Sequence, residues 1–148
     1  MAEVREFRPA TPVEQFFNRT FGFFVGLGLA PSYSYLLEVK GRKSGKVYST
    51  PVNLHEFGGK QYLVAPRGRT QWVRNAEAAG EVTLKKRGQR QTFKLRPLAE
   101  TEKPEVLKSY LMRYGGTVQR FFPVRAESPL EEFAKIAAGY PAFELIPV

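Results

Sequence analysis

The sequence LLEVKGRKSGKVYSTP, residues 36–51, places two glycines between two apolar runs, a pattern that predicts two β-strands joined by a turn. The turn also carries four cations within seven residues, Lys40, Arg42, Lys43 and Lys46. Glycine supplies the backbone conformations that a tight turn needs, whereas like charges in the same turn repel one another. The charged tip of this hairpin therefore predicts an anionic ligand. A solvent-exposed basic turn is the alternative.

The positive charge of the chain is concentrated in its central part. The whole chain has a net charge of +9, but residues 40–96 contain 14 of its 23 basic residues and only three acidic ones, a net charge of +11. A cluster of this kind raises the local concentration of an anionic partner. Nucleic acid, an acidic lipid surface, and a phosphorylated or polyglutamylated cofactor are the candidates that this charge distribution leaves open.

The composition restricts the chemistry that the chain can perform. It predicts a single globular domain over residues 1–148, because a chain of this length with 43% hydrophobic residues can form one core. The absence of cysteine excludes disulfides, thiolate metal sites and cysteine nucleophiles. One histidine, and acidic residues that are all glutamate, argue against a metal site. No nucleophile–base pair or catalytic triad is recognisable, so no catalytic residue is assigned.

The N-terminal part predicts one aromatic-rich helix over about residues 12–29, opened by a capping-box pattern that starts at Thr11. Its phenylalanines, Phe16 and Phe17 among them, predict either a cover over a ligand pocket or ordinary core. The segment has no signal-peptide pattern, and its longest apolar run, residues 21–31, is shorter than the ~20 residues that span a bilayer. We expect a soluble cytoplasmic protein, with a peripheral membrane contact through this helix as an alternative.

After this helix, apolar periodicity and glycine turns predict six strands and three further helices. The strands span residues 35–40, 46–57, 60–65, 81–87, 89–98 and 142–146. The helices span residues 71–79, 101–114 and 129–138, and Gly80 ends the first of them. Pro51, inside the second strand, predicts an edge or a bulge there. Short turns between strands favour an antiparallel sheet in an α+β protein, either a small barrel with helices outside or a sandwich.

Four motifs in the central part together resemble one known family. They are, in order, GRKSG (41–45), TP (50–51), YLVAPRG (62–68) and QWVRN (71–75). At this spacing they resemble the deazaflavin-dependent nitroreductases, split-β-barrel proteins that bind coenzyme F-420, an 8-hydroxy-5-deazaflavin. The resemblance covers about residues 36–98. It implies a six-stranded antiparallel split β-barrel with helices packed outside. It also implies an oxidoreductase that transfers a hydride from reduced coenzyme F-420 to a hydrophobic planar acceptor, which is a quinone, an enone or other activated alkene, or a nitroaromatic compound.

The resemblance also identifies the anion that the charged turn would bind. Coenzyme F-420 carries a phosphodiester and an oligoglutamate tail, so several cations in one groove suit it. The residues implied on its phosphate side are Arg42, Lys43 and Ser44. The residues implied to line the same groove are Tyr48, Ser49, Thr50, Pro51, Val52 and Asn53. The residues implied beside its ring are Ala65, Pro66, Arg67, Gly68, Gln71, Trp72, Val73, Arg74 and Asn75.

Several of these residues keep an alternative role. Trp72 is equally expected to anchor the core, and Asn75 can instead fasten its helix to the barrel. Arg67 stands where some members of the family carry a serine, so polarisation of the acceptor by a serine hydroxyl is not implied. The proton that accompanies the hydride could come from water or from a tyrosine, with Tyr48, Tyr114 and Tyr140 as candidates. His55 lies in a strand and is expected to be structural or solvent-facing.

Two other classes of protein share parts of this pattern. A split-barrel protein that binds FMN could hold the phosphate with the same basic turn, but one phosphate does not account for the extended charge. A non-enzymatic protein that binds nucleic acid or a membrane surface would also combine basic and aromatic residues. The deazaflavin enzyme accounts for more of the pattern, so we expect a small-molecule acceptor as its partner and no nucleic acid.

Overall fold

A computed structural model describes residues 32–148 of the chain. The predicted N-terminal helix, with Phe16 and Phe17, lies outside the described residues, and so does the alternative membrane contact through it. Within residues 32–148, no helix combines the length and the apolar character that crossing a membrane requires.

The described residues form one curled sheet of seven strands. These are β1 (Ser34–Lys40), β2 (Val47–Asn53), β3 (His55–Phe57), β4 (Lys60–Val64), β5 (Glu81–Lys86), β6 (Gln89–Pro97) and β7 (Ala142–Pro147). Their order is β2-β1-β5-β6-β7-β4-β3, and every neighbouring pair is antiparallel. The predicted α+β class and antiparallel sheet are confirmed, and the curl is consistent with a split barrel.

The prediction of six strands is wrong, because the predicted strand 46–57 is divided at Leu54. β2 pairs with β1 as far as Asn53, which lies opposite Ser34, whereas β3 pairs with β4. Leu54 lies between them with its side chain buried in the core, at 7% exposure. The chain changes its pairing partner at this residue, and one segment therefore forms both edges of the sheet. A run of alternating residues does not reveal where a strand changes its partner.

Pro51 lies in an edge strand, as predicted. Among the described residues, β2 has one neighbour in the sheet, β1, and Pro51 is paired with Leu36. Proline has no N–H to donate to a second neighbour, so an edge strand accommodates it. The other side of β2 faces away from the sheet and borders the cavity described below.

Three α-helices pack against the sheet. They are α1 (Gln71–Ala79), α2 (Lys103–Val118) and α3 (Leu130–Ile136), with 3-10 turns at Glu100–Glu102, Gln119–Phe121 and Ala137–Gly139. α1 has the predicted bounds, and Gly80 ends it in the left-handed conformation, with φ of 76°. α2 continues one turn beyond its predicted end at Tyr114. α3 is shorter than predicted because its last turn is 3-10.

The buried apolar residues form two main clusters. The larger is built mainly from α2 and α3, with Leu107, Leu111 and Phe133 at its centre. The second joins the inner residues of the strands, such as Leu37 and Phe93, to α1. These clusters hold α1 and α2 beside the hairpin β1–β2, and the functional cavity lies where the three elements meet.

Candidate functional site

A cavity of about 870 Å³ is lined by the hairpin β1–β2, the end of β4, the start of α1 and the inner face of α2. This volume lies within the range of about 300–1,000 Å³ that is usual for small-molecule sites. Sixteen of the eighteen residues that the family resemblance implied lie in its wall; Val73 and Arg74 do not. The cavity therefore brings together segments that are distant in sequence, such as the β1–β2 turn and α2.

The two exceptions have structural surroundings of their own. Val73 is fully buried in a small core cluster with Ala65 and Phe143. Arg74 donates through Nε to the backbone carbonyl of Arg69, at 3.3 Å. In a helix that crosses the rim of a cavity only some residues face it, since side chains advance by about 100° per residue. The sequence motif QWVRN did not separate the residues that face the cavity from those that do not.

Six residues of the wall were not predicted: Val39, Gly41, Val64, Thr70, Tyr110 and Val118. The first four adjoin segments that were predicted. The other two lie on α2, and only the packing of that helix brings them to the cavity. No local signal in the sequence could have identified Tyr110 or Val118.

The basic end of the cavity is formed by the turn between β1 and β2. Asn75 of α1, only 5% exposed, accepts two hydrogen bonds through Oδ1, from the backbone N–H of Arg42 at 3.1 Å and from its Nη1 at 2.7 Å. The amide thus joins the helix to the turn and orients the guanidinium. Within residues 32–148, neither Arg42 nor Lys43 forms an ion pair with a carboxylate. Both cations are therefore available to an anion.

The turn itself is compact. The hydroxyl groups of Ser44 and Tyr48 are 3.2 Å apart, and Ser44 Oγ also accepts the backbone N–H of Lys46 at 3.2 Å. A side chain at Gly41 would have to displace the Tyr48 ring, because a Cβ atom there would lie 2.5 Å from Cε2 of that ring. The Tyr48 ring therefore packs directly on the backbone of the turn and forms part of the cavity rim.

The opposite wall is apolar and ends at a buried hydroxyl group. Ala65 and Pro66, at the end of β4, present small, rigid residues to the cavity. Trp72 lines the cavity and also packs on Phe143, with ring centroids 6.3 Å apart, so it contacts both the core and the cavity. Thr70, before α1, has a buried Oγ1 with no hydrogen-bond partner among the described residues. A buried hydroxyl without a partner costs about 1–3 kcal/mol, so this position suits a polar atom of a ligand.

Tyr110 of α2 forms the inner end of the cavity together with Asn53. The tyrosine is 2% exposed, and the Asn53 side chain lies near its hydroxyl. Burial, and secondarily the nearby Tyr114, raise the pKa of Tyr110 well above its usual value, while the Asn53 side chain has a lowering effect. The phenol is therefore neutral at physiological pH. A neutral phenol in a cavity wall can donate a hydrogen bond to a ligand.

The other titratable candidates lie outside this cavity. His55 is buried behind Tyr110, and its Nε2 contacts Ser109 Oγ at 2.7 Å. Because Ser109 donates to the Val106 carbonyl, Nε2 carries the proton in that contact. Burial, and secondarily Arg113, lower the pKa of His55 to about 4.

The three tyrosines considered as proton donors occupy different places. Tyr114 donates to the Leu54 carbonyl at 3.0 Å, and Tyr140 donates to the Phe121 carbonyl. Neither lines the cavity, whereas Tyr48 does. Of the three, Tyr48 alone is placed to contact a ligand in this cavity.

Comparison with known proteins finds one matching family. The model of the F-420H(2)-dependent quinone reductase family matches residues 12–126. No curated protein sequence matches the chain.

Solved structures share the fold. One described as a domain-swapped dimer aligns with a TM-score of 0.54 at 19% identity, over 90% of this chain and 92% of its own. The structure of an F-420-H2-dependent reductase (FDR-A) aligns with a TM-score of 0.51 at 20% identity, over 77% of this chain and 94% of its own. A FAD-binding protein from Mesorhizobium loti aligns with a TM-score of 0.50 at 12% identity, over 87% and 88% of the two chains.

Proposed function

Because the chain belongs to the F-420H(2)-dependent quinone reductase family, we propose that it reduces a hydrophobic planar acceptor in this cavity. Family membership makes it a reductase with coenzyme F-420 as its cofactor. The class of acceptor is the proposed part: a quinone, an enone or other activated alkene, or a nitroaromatic compound. The observation that carries the proposal is the polarity of the cavity. At one end are Arg42 and Lys43, which form no ion pair within residues 32–148, and at the other are apolar and aromatic residues.

The basic end suits the charged part of the coenzyme. Arg42, oriented by Asn75, can grip a phosphate with two parallel hydrogen bonds, and Lys43 adds a mobile positive charge. Ser44 and Ser49 add hydroxyl donors on the same wall. Two unit charges 4 Å apart attract by ~1 kcal/mol in water and ~4 kcal/mol at an effective dielectric constant of 20. Several such contacts would hold a flexible anionic tail in an open groove.

The apolar wall suits the flat ring. Ala65 and Pro66 leave the backbone accessible to a planar heterocycle, and Trp72 offers an aromatic surface. The Thr70 hydroxyl, which has no hydrogen-bond partner within residues 32–148, offers a hydrogen bond to a polar ring edge. The reduced deazaflavin, when bound, supplies the hydride. The chain's own part is to bind and orient the two reactants and to exclude water from the inner end. The lining residues Val64 and Val118 favour an apolar acceptor.

The test of this proposal is a binding titration of the Arg42→Ala/Lys43→Ala variant with coenzyme F-420. Each charge-assisted hydrogen bond contributes about 1.5–3 kcal/mol, less where the site is wet, so we expect the dissociation constant to rise at least tenfold. Lys94→Ala/Arg125→Ala is the matched control, because it removes one lysine and one arginine that are exposed and lie outside the cavity. The control should bind the coenzyme as the wild type does.

Two outcomes would contradict the proposal. Equal losses of affinity in both double variants would mean that the turn acts only through its general charge. Tight binding of FMN with no binding of coenzyme F-420 would favour the competing flavoprotein. The acceptor class is tested separately, by turnover of 2-methyl-1,4-naphthoquinone, an enone and a nitroaromatic compound with the reduced coenzyme.

A further inference from the structure

The cavity has two ends that differ in chemistry, and strand β2 runs from one end to the other. Tyr48 lies at the basic turn and Asn53 at the inner end, five residues further along the strand. At about 3.3 Å per residue, these residues are separated by about 17 Å. A ligand whose anionic groups are held at the turn thus directs its other parts toward Asn53 and Tyr110.

The inner end contains one hydroxyl group that is held in place from several sides. Tyr110 is 2% exposed, its ring packs edge-on against His55 with centroids 5.6 Å apart, and the Tyr114 ring lies 5.0 Å away. Asn53 lines the same cavity, with its side chain near the phenol. Among the lining residues Tyr110 is the buried tyrosine, whereas Tyr48 at the rim is half exposed.

On the basis of the proposed function, we propose that Tyr110 donates a hydrogen bond to the reducible oxygen of the acceptor and that Asn53 positions its hydroxyl. This proposal narrows the acceptor class to planar compounds that have a carbonyl or nitro oxygen on the edge that faces Tyr110. Addition of the hydride, with its two electrons, to a quinone oxidises the coenzyme and reduces the acceptor. The electron pair of the attacked π-system moves to the oxygen, which becomes an oxyanion.

Tyr110 stabilises this oxyanion as a donor and keeps its proton, because a buried phenol is a weak acid. The proton that completes the reduction then comes from water after the product leaves the inner end. A fixed neutral donor of this kind requires no reorganisation when charge develops, which is the main advantage of a preorganised site. Asn53 can donate its amide N–H to the phenolic oxygen, and the phenolic O–H then remains available to the acceptor.

Tyr110→Phe removes the hydroxyl and keeps the ring, and Tyr114→Phe is a matched control. Tyr114 lies one turn further along α2, is equally buried, and donates to the Leu54 carbonyl outside the cavity. Loss of a preorganised donor to an oxyanion typically lowers kcat by about 10²–10³-fold. We expect Tyr110→Phe to lower kcat with 2-methyl-1,4-naphthoquinone by at least tenfold, with the dissociation constant of coenzyme F-420 within about twofold of wild type. Tyr114→Phe should lower the melting temperature and leave kcat unchanged.

A second readout is independent of turnover. Calorimetric titration of 4-nitrophenolate, which mimics the product oxyanion, into the protein with oxidised coenzyme F-420 bound should show at least tenfold weaker binding in Tyr110→Phe than in Tyr114→Phe. If Tyr110→Phe does not fold, Asn53→Ala serves instead, because it keeps the phenol and removes the residue that positions it, and it should lower kcat several-fold.

Equal kcat values in Tyr110→Phe and Tyr114→Phe would overturn the role of Tyr110. Where Asn53→Ala replaces Tyr110→Phe, a kcat equal to that of wild type would overturn it. Equal phenolate affinities in the two tyrosine variants would overturn it as well. Failure of the proposed function would look different, because wild-type protein with reduced coenzyme F-420 would then turn over none of the three classes of acceptor.

Discussion

The contact between Asn75 and Arg42 shows how one residue can serve both the fold and the site. The Asn75 side chain is buried, and its oxygen accepts both the backbone N–H and the guanidinium of Arg42. Asn75 therefore fastens its helix, one of the two roles considered for it from the sequence, and it also lines the cavity. Because Arg42 is held in this way, the turn keeps its shape before any anion arrives, and less conformational entropy is lost on binding.

His55 predicts a specific pH dependence of stability. Its pKa is about 4 in the folded protein, against 6.5 for an ordinary histidine, because of burial and of Arg113. Above pH 6.5 the ring is neutral in both the folded and unfolded states. Between pH 6.5 and 4 the unfolded state binds a proton that the folded state does not, so stability falls as the pH falls. At pH 5 the loss from this residue should reach at most about 2 kcal/mol.

Urea unfolding at pH 7.5 and pH 5 measures this effect. His55→Gln keeps a donor for Ser109 and cannot be protonated, so the decrease between the two pH values should be smaller in the variant than in wild type. Equal decreases in the two proteins would show that other groups are responsible.

At the scale of elements, α2 contributes residues both to the core and to the cavity. Its last turns have low intrinsic helix stability. Tyr110 and Val118 line the cavity from this helix, while Leu107 and Leu111 are buried in the core. Gly115 and Gly116 lie in its last turns. Glycine destabilises a helix interior by about 1 kcal/mol relative to alanine, which explains why the predicted helix ended at Tyr114. Tertiary packing on both sides of the glycines keeps the segment helical.

Gly116, inside α2, and Gly80, at the end of α1, predict effects of opposite sign on stability when they are replaced by alanine. Among the described residues no atom lies within 4 Å of a Cβ placed on Gly116, so Gly116→Ala should stabilise the protein by about 1 kcal/mol. Gly80 also has open space around it but has φ of 76°, so Gly80→Ala should destabilise it by about 1–2 kcal/mol. Thermal unfolding of the two variants checks both signs. A lower melting temperature for Gly116→Ala would mean that this glycine is needed for contact.

At the scale of the whole molecule, three basic residues of the central segment line the cavity: Arg42, Lys43 and Arg67. Glu77, one of the three acidic residues of this segment, is paired with Arg69, and Glu38, just before the segment, is paired with Arg90, so neither is paired with a cation of the turn. The cations of the β1–β2 turn, which have no such partners among residues 32–148, dominate the cavity mouth. This arrangement favours a ligand with several negative charges over one with a single charge.

The affinity for coenzyme F-420 should therefore depend on salt. Raising the ionic strength from about 0.1 M to about 1 M shortens the screening length from about 10 Å to about 3 Å, which weakens contacts in an open groove. The dissociation constant of the coenzyme should rise over this range, whereas KM for a neutral quinone should change little. A salt-independent coenzyme affinity would contradict a charge-held tail.

The local features of this protein could be predicted from the sequence. The glycine-flanked basic turn, the strands on either side of it, the bounds of α1 and the edge position of Pro51 depend on neighbouring residues, whose conformational preferences act over a few positions. The motifs from residue 41 to residue 75 lie in consecutive segments, so they also identified most of the cavity wall. A fastening role for Asn75 was one of two alternatives considered from the sequence, but its partner, Arg42, was not predicted.

Only the tertiary structure decided the features that depend on residues distant in sequence. The division of the predicted strand at Leu54 follows from a change of partner from β1 to β4, which no local pattern encodes. The exclusion of Val73 from the cavity follows from the rotation of α1 against the core. Tyr110 and Val118 enter the wall because the burial of Leu107 and Leu111 fixes the rotation of α2. Burial of an apolar face is non-directional, so the face that remains for the ligand is determined only when all the packed elements are in place.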